Sequence, residues 1–392
     1  MKWMDRANSV SQQLVSWRRD LHMYPELGLD LVRTAGVVEA ELGRLGYHLQ
    51  TGIAKTGIVA WLTSDRPGPC LLLRFDMDGL PLQEENDIPY KSRHPGLMHA
   101  CGHDGHVAIG LGVATLLARH QAEWSGSVKL MFQPGEEGLN GADVMVQEGA
   151  VDRIGPAADM ALALHLWNEL PVGQVSAVTG PVMASAESWE CIIQGQGAHG
   201  AAPHLGIDPM VAAAQMILAW QTVISRNVNP QQAAVLSVGS VHAGEAFNII
   251  PDRVTLRGTL RCFDEPVRQL LLRRVREIAQ GIGTTMGCSV SLHLDPLSPT
   301  LVNDPRAVAL VRRAAAELVG EDNIVHMRTM GSEDMAFVHR VIPGCYAFVG
   351  SRNAAAGLVH GHHNPRFDFD EAAMPLAVAL LTAAAADFMG AN

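Results

Sequence analysis

With 392 residues the chain exceeds the size at which a single core keeps growing, so two domains are the natural expectation. Hydrophobic residues at 48 % and charged residues at 18 % exclude a disordered chain. A net charge of −11 argues against nucleic acid or an anionic membrane as the main partner.

The first twenty residues are polar and amphipathic and lack the apolar stretch of a signal peptide. The six cysteines are scattered without a disulfide framework, which fits a reducing compartment and predicts a cytoplasmic protein. Residues 5–47 read as helical: Val10, Leu14, Trp17 and Leu21 recur at three- and four-residue intervals, and a second amphipathic stretch covers 34–45. Short apolar runs at 57–62, 70–75, 128–132 and 160–166 read as buried strands, with a helix over 107–120 among them. That alternation predicts an α/β layered domain.

From about Ala186 the pattern changes. Strand 187–195, helix 208–225, strands 234–241 and 254–262, helix 265–283 and strand 288–294 give the order β-α-β-β-α-β of a ferredoxin-like α+β unit. Helix 304–318 and strand 346–350 resume the α/β pattern. Residues 372–386 are interrupted by Pro375 and Thr382 and are too short to span a bilayer, so they read as a buried C-terminal helix. The expectation is an α/β main domain, discontinuous over 1–184 and 296–392, with a mixed sheet flanked by helices. It carries an inserted domain over 185–295.

Open α/β sheets gather ligands beyond the carboxyl ends of their strands. Phe75-Asp76, Gln133 to Glu137 and His165 each follow directly on an apolar run. The densest cluster of reactive side chains is His99-Ala100-Cys101-Gly102-His103-Asp104-Gly105-His106. As a nucleophile, Cys101 would need a base such as His103 or His106, and an oxyanion hole. As a ligand, a thiolate beside imidazole and carboxylate suits zinc or a neighbouring first-row ion. Structural zinc sites commonly complete themselves with paired cysteines. Here the other donors are His and Glu, which favours a catalytic metal site, with a metal-free thiol hydrolase as the alternative. Glu136-Glu137 reads either as a solvated acidic turn or as a divided pair, one carboxylate binding metal and the other taking a proton from the attacking water. His165 alone would also suit a core histidine.

These residues resemble the M20 metallopeptidase family in its amidohydrolase branch. The resemblance is carried by Arg74-Phe75-Asp76-Met77-Asp78-Gly79-Leu80-Pro81, by Ala100 to His106, by the Phe132 to Glu137 turn and by His165-Leu166-Trp167. It closes with His363-Asn364-Pro365 and Phe367-Asp368, and it runs from Arg18-Arg19-Asp20-Leu21-His22 to Asp370-Glu371. It implies two divalent metal ions per subunit, bridged by Cys101 and completed by His103, Glu137, His165 and His363. Zinc, manganese, cobalt and nickel all tolerate such a donor set. Glu136 is implied as general base and then proton donor, and Asp78 as a residue that orients a histidine ligand. Other branches carry a histidine where this chain has Asp76, which leaves contact between Asp76 and metal open.

In the inserted domain, His199 is implied to polarise the scissile carbonyl, often from a neighbouring subunit, and Asn248 to lie near substrate. Arg261 is read either as a partner for a substrate carboxylate or as half of a structural salt bridge. Gly331 to Asp334 resembles a further family element without an assigned role. The implied activity is metal-dependent hydrolysis of N-acyl amino acids, hippurate-like or N-acetylated, to a carboxylic acid and a free amino acid. A dipeptidase or carboxypeptidase with the same centre is the alternative. The implied assembly is a homodimer through the inserted lid and dimerisation domain, with a small-molecule substrate and no nucleic-acid or membrane partner.

Overall fold

The computed structural model describes residues 2–390, so Met1 of the N-terminal stretch lies outside the described residues. The chain separates into two compact units. The first comprises the residues up to Val182, Val302–Arg328 and the chain from Asp334 onward; the second comprises Met183–Leu301 and Thr329–Glu333.

The first unit is built on a seven-stranded mixed sheet. Its order is His48–Ile53, Gly57–Thr63, Ser127–Gln133, Cys70–Asp76, Met160–Pro171, Gly344–Arg352, Val175–Ser176. The four strands from Ser127–Gln133 to Gly344–Arg352 run parallel. The two on one flank and the short one on the other pair antiparallel. Cys70–Asp76 and Ser127–Gln133 are buried along their whole length, as helices on both faces of a parallel sheet require, and this is why they read as unbroken apolar runs. Pairing of Met160–Pro171 with Cys70–Asp76 ends at Ala163 and Arg74, so the longer strand outlives its neighbour.

Helices Ser11–His22, His103–Arg119, Pro305–Val319 and Ala373–Phe388 close the core around Leu14, Leu73, Phe75, Leu111, Phe132 and Val378. Helix His103–Arg119 begins four residues before the expected start at 107. Its polar first turn is itself buried, as is every residue through Leu117, so no amphipathic stripe announces it. The helical region expected over 5–47, with its second stretch at 34–45, is three helices, Lys2–Asn8, Ser11–His22 and Val32–Arg44, and the segment between the last two contains Pro25. Strand His48–Ile53 was not expected; it lies at the sheet edge, largely exposed, with a polar sequence that carries no alternation. Among the described residues no helix is long and apolar enough to cross a membrane.

The second unit follows the order β-α-β-β-α-β: Ser185–Gln194, Pro209–Asn227, Ala234–His242, Arg253–Cys262, Glu265–Met286, Ser289–Ser298. Its strands lie in the order Ala234–His242, Arg253–Cys262, Ser185–Gln194, Ser289–Ser298, all antiparallel, which is the ferredoxin-like arrangement. Trp189, Cys191 and Ile193 alternate inward along the first strand and meet Met216, Trp220, Leu271 and Val275 from the two helices. Asp208 caps the first helix by accepting the Met210 amide at 2.8 Å, with Pro209 opening it.

Candidate metal centre

The thiol, imidazoles and carboxylates of the first unit converge where the central strands end. Gly102, at φ 88°, turns the chain into helix His103–Arg119, leaving Cys101 just before the helix and His103 in its first turn. Ligand atoms of Cys101, His103 and His165 lie within 4.8 Å of one another, and so do those of Cys101, Glu137 and His363. Cys101 is common to both trios. His103, Glu136 and Glu137 form a third.

The histidine tautomers follow from their backbone partners. His165 Nδ1 donates to the Leu166 carbonyl at 2.7 Å, which leaves the Nε2 lone pair 3.5 Å from Cys101 Sγ. Burial, helped by His106 and His362, holds this imidazole well below its ordinary pKa and therefore neutral. His103 Nδ1 donates to the Asp78 carbonyl at 2.9 Å, and its Nε2 is buried without a hydrogen-bond partner. Glu137 Oε1 is buried in the same way and stands 3.1 Å from His363 Nε2 without the alignment of a hydrogen bond. Each such buried atom left unpaired costs about 1–3 kcal/mol. Burial, with Glu137 and Glu136 close by, pushes the Cys101 thiol well above its usual range. A cation among these atoms would relieve all three penalties, and a donor set of sulfur, imidazole and carboxylate fits a first-row divalent ion.

The Glu136-Glu137 turn is held from below. Gly135 adopts φ 69°, and a Cβ there would stand 2.5 Å from Leu29 Cδ2. The Asp78 carboxylate accepts the Glu136 and Glu137 amides at 3.2 and 3.0 Å. Asp78 therefore meets His103 through its main-chain oxygen and with a carboxylate oxygen 3.4 Å from Nδ1, and the same carboxylate grips the base-bearing turn.

Asp76 is hydrogen-bonded from two sides, and with His103 and His106 it forms a further group of potential ligand atoms within 4.8 Å of one another. His106 Nδ1 donates to its Oδ1 at 2.6 Å and Arg74 Nη1 to its Oδ2 at 2.5 Å, while His103 Nε2 stands 3.7 Å away. Burial alone would raise this carboxyl, but His103, Arg74 and His106 together hold it well below the usual carboxylate range. Of the adjacent histidines, His363 sits at φ 62° with its amide donating to the Ala100 carbonyl at 2.8 Å and its side chain half exposed. His362 instead stacks on Trp167, ring centroids 4.5 Å apart, and donates Nε2 to the Leu166 carbonyl at 2.9 Å.

A further layer escaped the sequence reading. Arg74 also donates to Gln133 Oε1 at 2.7 Å and to Asp334 Oδ1 at 2.8 Å, and Asp334 Oδ2 accepts from Gln133 Nε2 and the Ala142 amide. This gives Asp334 of the unassigned Gly331 to Asp334 element a role in the scaffold. Fully buried Arg18 donates to Asp104, Asp368 and Glu371, and His22 Nδ1 donates to Asp104 at 2.8 Å. Asp104 immediately follows His103, so this cluster anchors the first turn of the helix. The run Arg18 to His22 was the available signal, but its partner at 104 leaves no trace in local spacing.

The second unit holds His199, Asn248 and Arg261. His199 pairs in register with Ile249, and the Gly200 amide donates to the Asn248 carbonyl at 2.8 Å. His199 is exposed, and its Nδ1 accepts the Ala201 amide at 3.0 Å, so its ring proton is on Nε2. Arg261 donates to Ser332 Oγ at 2.6 Å. Among the described residues it has no carboxylate within ion-pair distance, contrary to a structural salt bridge.

A mixed α/β unit with thiolate, imidazole and carboxylate donors at its strand ends, accompanied by a ferredoxin-like unit, defines a class of metallohydrolases. Residues 72–387 match peptidase family M20/M25/M40, and the chain belongs to that family. Within it the chain falls in the amidohydrolase branch. It is 38 % identical over 367 residues to the N-acetyl-L-cysteine deacetylase of Bacillus subtilis (strain 168), covering 94 % of this chain and 86 % of that protein. It is 36 % identical over 380 residues to IAA-amino acid hydrolase ILR1-like 4 of Arabidopsis thaliana, covering 96 % and 85 %. The fold matches the crystal structure of Bacillus subtilis YXEP, a dinuclear metal binding peptidase from the M20 family. The TM-score is 0.84 and the identity 31 %, over 98 % of this chain and 100 % of the other.

Proposed function

We propose that the chain hydrolyses the amide bond of N-acyl amino acids, releasing a carboxylic acid and a free amino acid, at a centre of two divalent ions. The observation that carries this reading is Cys101, shared by two ligand trios, one with His103 and His165 and one with Glu137 and His363. A thiolate common to both trios supports the reading of Cys101 as the residue that two ions would share. The names of the relatives, a deacetylase of an N-acetyl amino acid and a hydrolase of amino-acid conjugates, favour an acylated amino acid over a peptide.

When bound, the divalent ions supply Lewis acidity at the acyl carbonyl and make the attacking water easier to deprotonate. Glu136 takes the water proton on its carboxylate as the new C–O bond forms at the acyl carbon. The same carboxylic acid returns that proton to the nitrogen as the C–N bond breaks, so one residue serves both steps. Asp78 keeps Glu136 in place through the backbone of the turn. His199 donates a hydrogen bond from Nε2–H to the developing oxyanion, an interaction whose loss typically costs ~10²–10³ in turnover. Arg261 is assigned to the amino-acid carboxylate of the substrate, and Asn248 to a position near the substrate. Zinc, manganese, cobalt and nickel all suit the donors. The reading includes a cytoplasmic enzyme dimerising through the second unit, where Leu205, Leu218, Phe247 and Ile249 are exposed.

The test is metal analysis of the purified chain, followed by chelation and reconstitution, assayed on benzoylglycine, N-acetyl amino acids and dipeptides side by side. Two ions per chain and chelator-sensitive release of free amino acid from the acylated substrates are expected. Faster turnover of dipeptides would replace the reading by a dipeptidase, and activity that survives chelation would replace it by a thiol hydrolase.

A further inference from the structure

Strand Met160–Pro171 continues past the point where Cys70–Asp76 stops pairing with it, so on that flank Leu166 has no strand to bond. Buried backbone groups must be satisfied somewhere. Here side chains do it. The Leu166 amide donates to His106 Nε2 at 3.0 Å. The Leu166 carbonyl accepts two hydrogen bonds, from His165 Nδ1 at 2.7 Å and from His362 Nε2 at 2.9 Å.

An accepting Nε2 puts the His106 ring proton on Nδ1, and that nitrogen donates to Asp76 Oδ1 at 2.6 Å. Asp76 in turn receives Arg74. His106 and Asp76 are about 1 % and 0 % exposed. An unbroken path of hydrogen bonds thus runs from Arg74 through Asp76 and His106 to the amide that joins His165 to Leu166. The next carbonyl along then fixes the tautomer and rotation of the His165 ring.

We propose that Asp76, His106 and His362 are positioning residues for His165. They clamp the two peptide planes flanking Leu166 and so set the direction in which His165 Nε2 presents its lone pair. This deepens the proposed centre and rests on His165 being a ligand. It also gives Asp76 work that does not require contact with metal. Partners that orient a ligating histidine are typically worth 10–100-fold in metal affinity. A pure packing role would instead affect stability without preference for one ion over the other.

The experiment is a titration of the metal-free full-length chain with Co²⁺ against a chromophoric chelator, following stoichiometry, affinity at each position and the thiolate-to-cobalt absorption. The wild type is expected to take two ions and His165→Ala one. In His106→Asn, the amide nitrogen can still reach Asp76, but the Leu166 amide loses its acceptor. That variant should lose about 10–100-fold in affinity at one position while the other is unchanged. In His106→Gln, an amide oxygen reaches close to where Nε2 stood, and most of the affinity should return.

Wild-type affinity at both positions in His106→Asn, or equal weakening of both in step with a lower melting temperature, would overturn the clamp. A readout without substitution is the ¹⁵N spectrum of the histidine rings in the metal-free wild type. It should show His106 and His165 both as Nδ1–H tautomers, and an Nε2–H tautomer at His106 overturns the proposal. If His165→Ala binds as many ions as the wild type, the ligand assignment fails and the clamp with it. A failure confined to the His106 variants leaves the centre standing.

Discussion

Arg74 is the residue on which the scaffold beneath the centre most depends, and replacing it by Met tests that arrangement. Arg74 is about 2 % exposed, and the acceptors of its guanidinium include Gln133 Oε1 at 2.7 Å, Asp76 Oδ2 at 2.5 Å and Asp334 Oδ1 at 2.8 Å. Met conserves the length of the side chain but leaves two buried carboxylates without their shared cation. Removing one partner of a buried pair costs about 3–5 kcal/mol. Asp76 keeps His106, and Asp334 keeps Gln133 and the Ala142 amide, so the two losses do not sum and about 3 kcal/mol is expected. The measurement is the urea midpoint of the metal-free protein, followed by tryptophan fluorescence and compared at constant slope, since bound ions would add their own stabilisation. Arg74→Met combined with Asp334→Asn removes charge from both sides and should regain about 1 kcal/mol relative to additivity. A loss below about 1 kcal/mol in the single variant, or strict additivity in the pair, would refute the reasoning.

Glu136→Gln should bind its ions normally yet lose at least ~10²-fold in turnover; a variant that keeps most of its activity removes Glu136 as the base. Cys101→Ala deletes the atom common to both ligand trios, so equilibrium dialysis should find both ions weakened, and loss of a single ion would contradict the bridge. His339 donates Nδ1 to the Val302 carbonyl while its Nε2 is buried without a partner, and burial lowers its pKa to about 4 from an ordinary 6.5. The folded chain therefore binds fewer protons than the unfolded one between those values. Its contribution to stability is complete above pH 6.5 and is lost as pH falls toward 4, by at most about 1.4 kcal/mol per pH unit. His339→Asn should flatten the melting temperature over that window, and parallel wild-type and variant curves would be the contrary result. Gly135→Ala forces a side chain into φ 69° and against Leu29, so about 2–4 kcal/mol of stability and part of the turnover should go together, measured by denaturation and by kcat.

Much of the architecture was legible because burial writes itself into sequence. The central strands appear as apolar runs, and the β-α-β-β-α-β order of the second unit is set by the alternation of Trp189, Cys191 and Ile193 and by the stripes of its two helices. What escaped has no such signature: the buried polar first turn of helix His103–Arg119, of which only the apolar part from 107 was read, and strand His48–Ile53, which is exposed and polar. Of the first-unit residues considered as ligands, Cys101, His103, Glu137, His165 and His363 come together, while His362, from which the following Asn364-Pro365 distinguishes His363 in sequence, stacks on Trp167. The contacts of Arg18 with Asp104 and of His106 with Leu166 span 86 and 60 residues. Such contacts join side chains to distant partners without any period, and only the folded chain displays them.

The position of Asp78 has a consequence for the tolerance of the site to motion. Its carbonyl holds the ring of His103, and its carboxylate holds the amides of Glu136 and Glu137. When thermal motion displaces this short segment, the imidazole and the glutamate turn are carried in the same direction. The fluctuation in the distance between His103 and Glu136 is then smaller than the fluctuation in the position of either. Catalysis depends on that difference, so one residue acts as a common mount that lets the surrounding loops move without throwing base and ligand out of alignment.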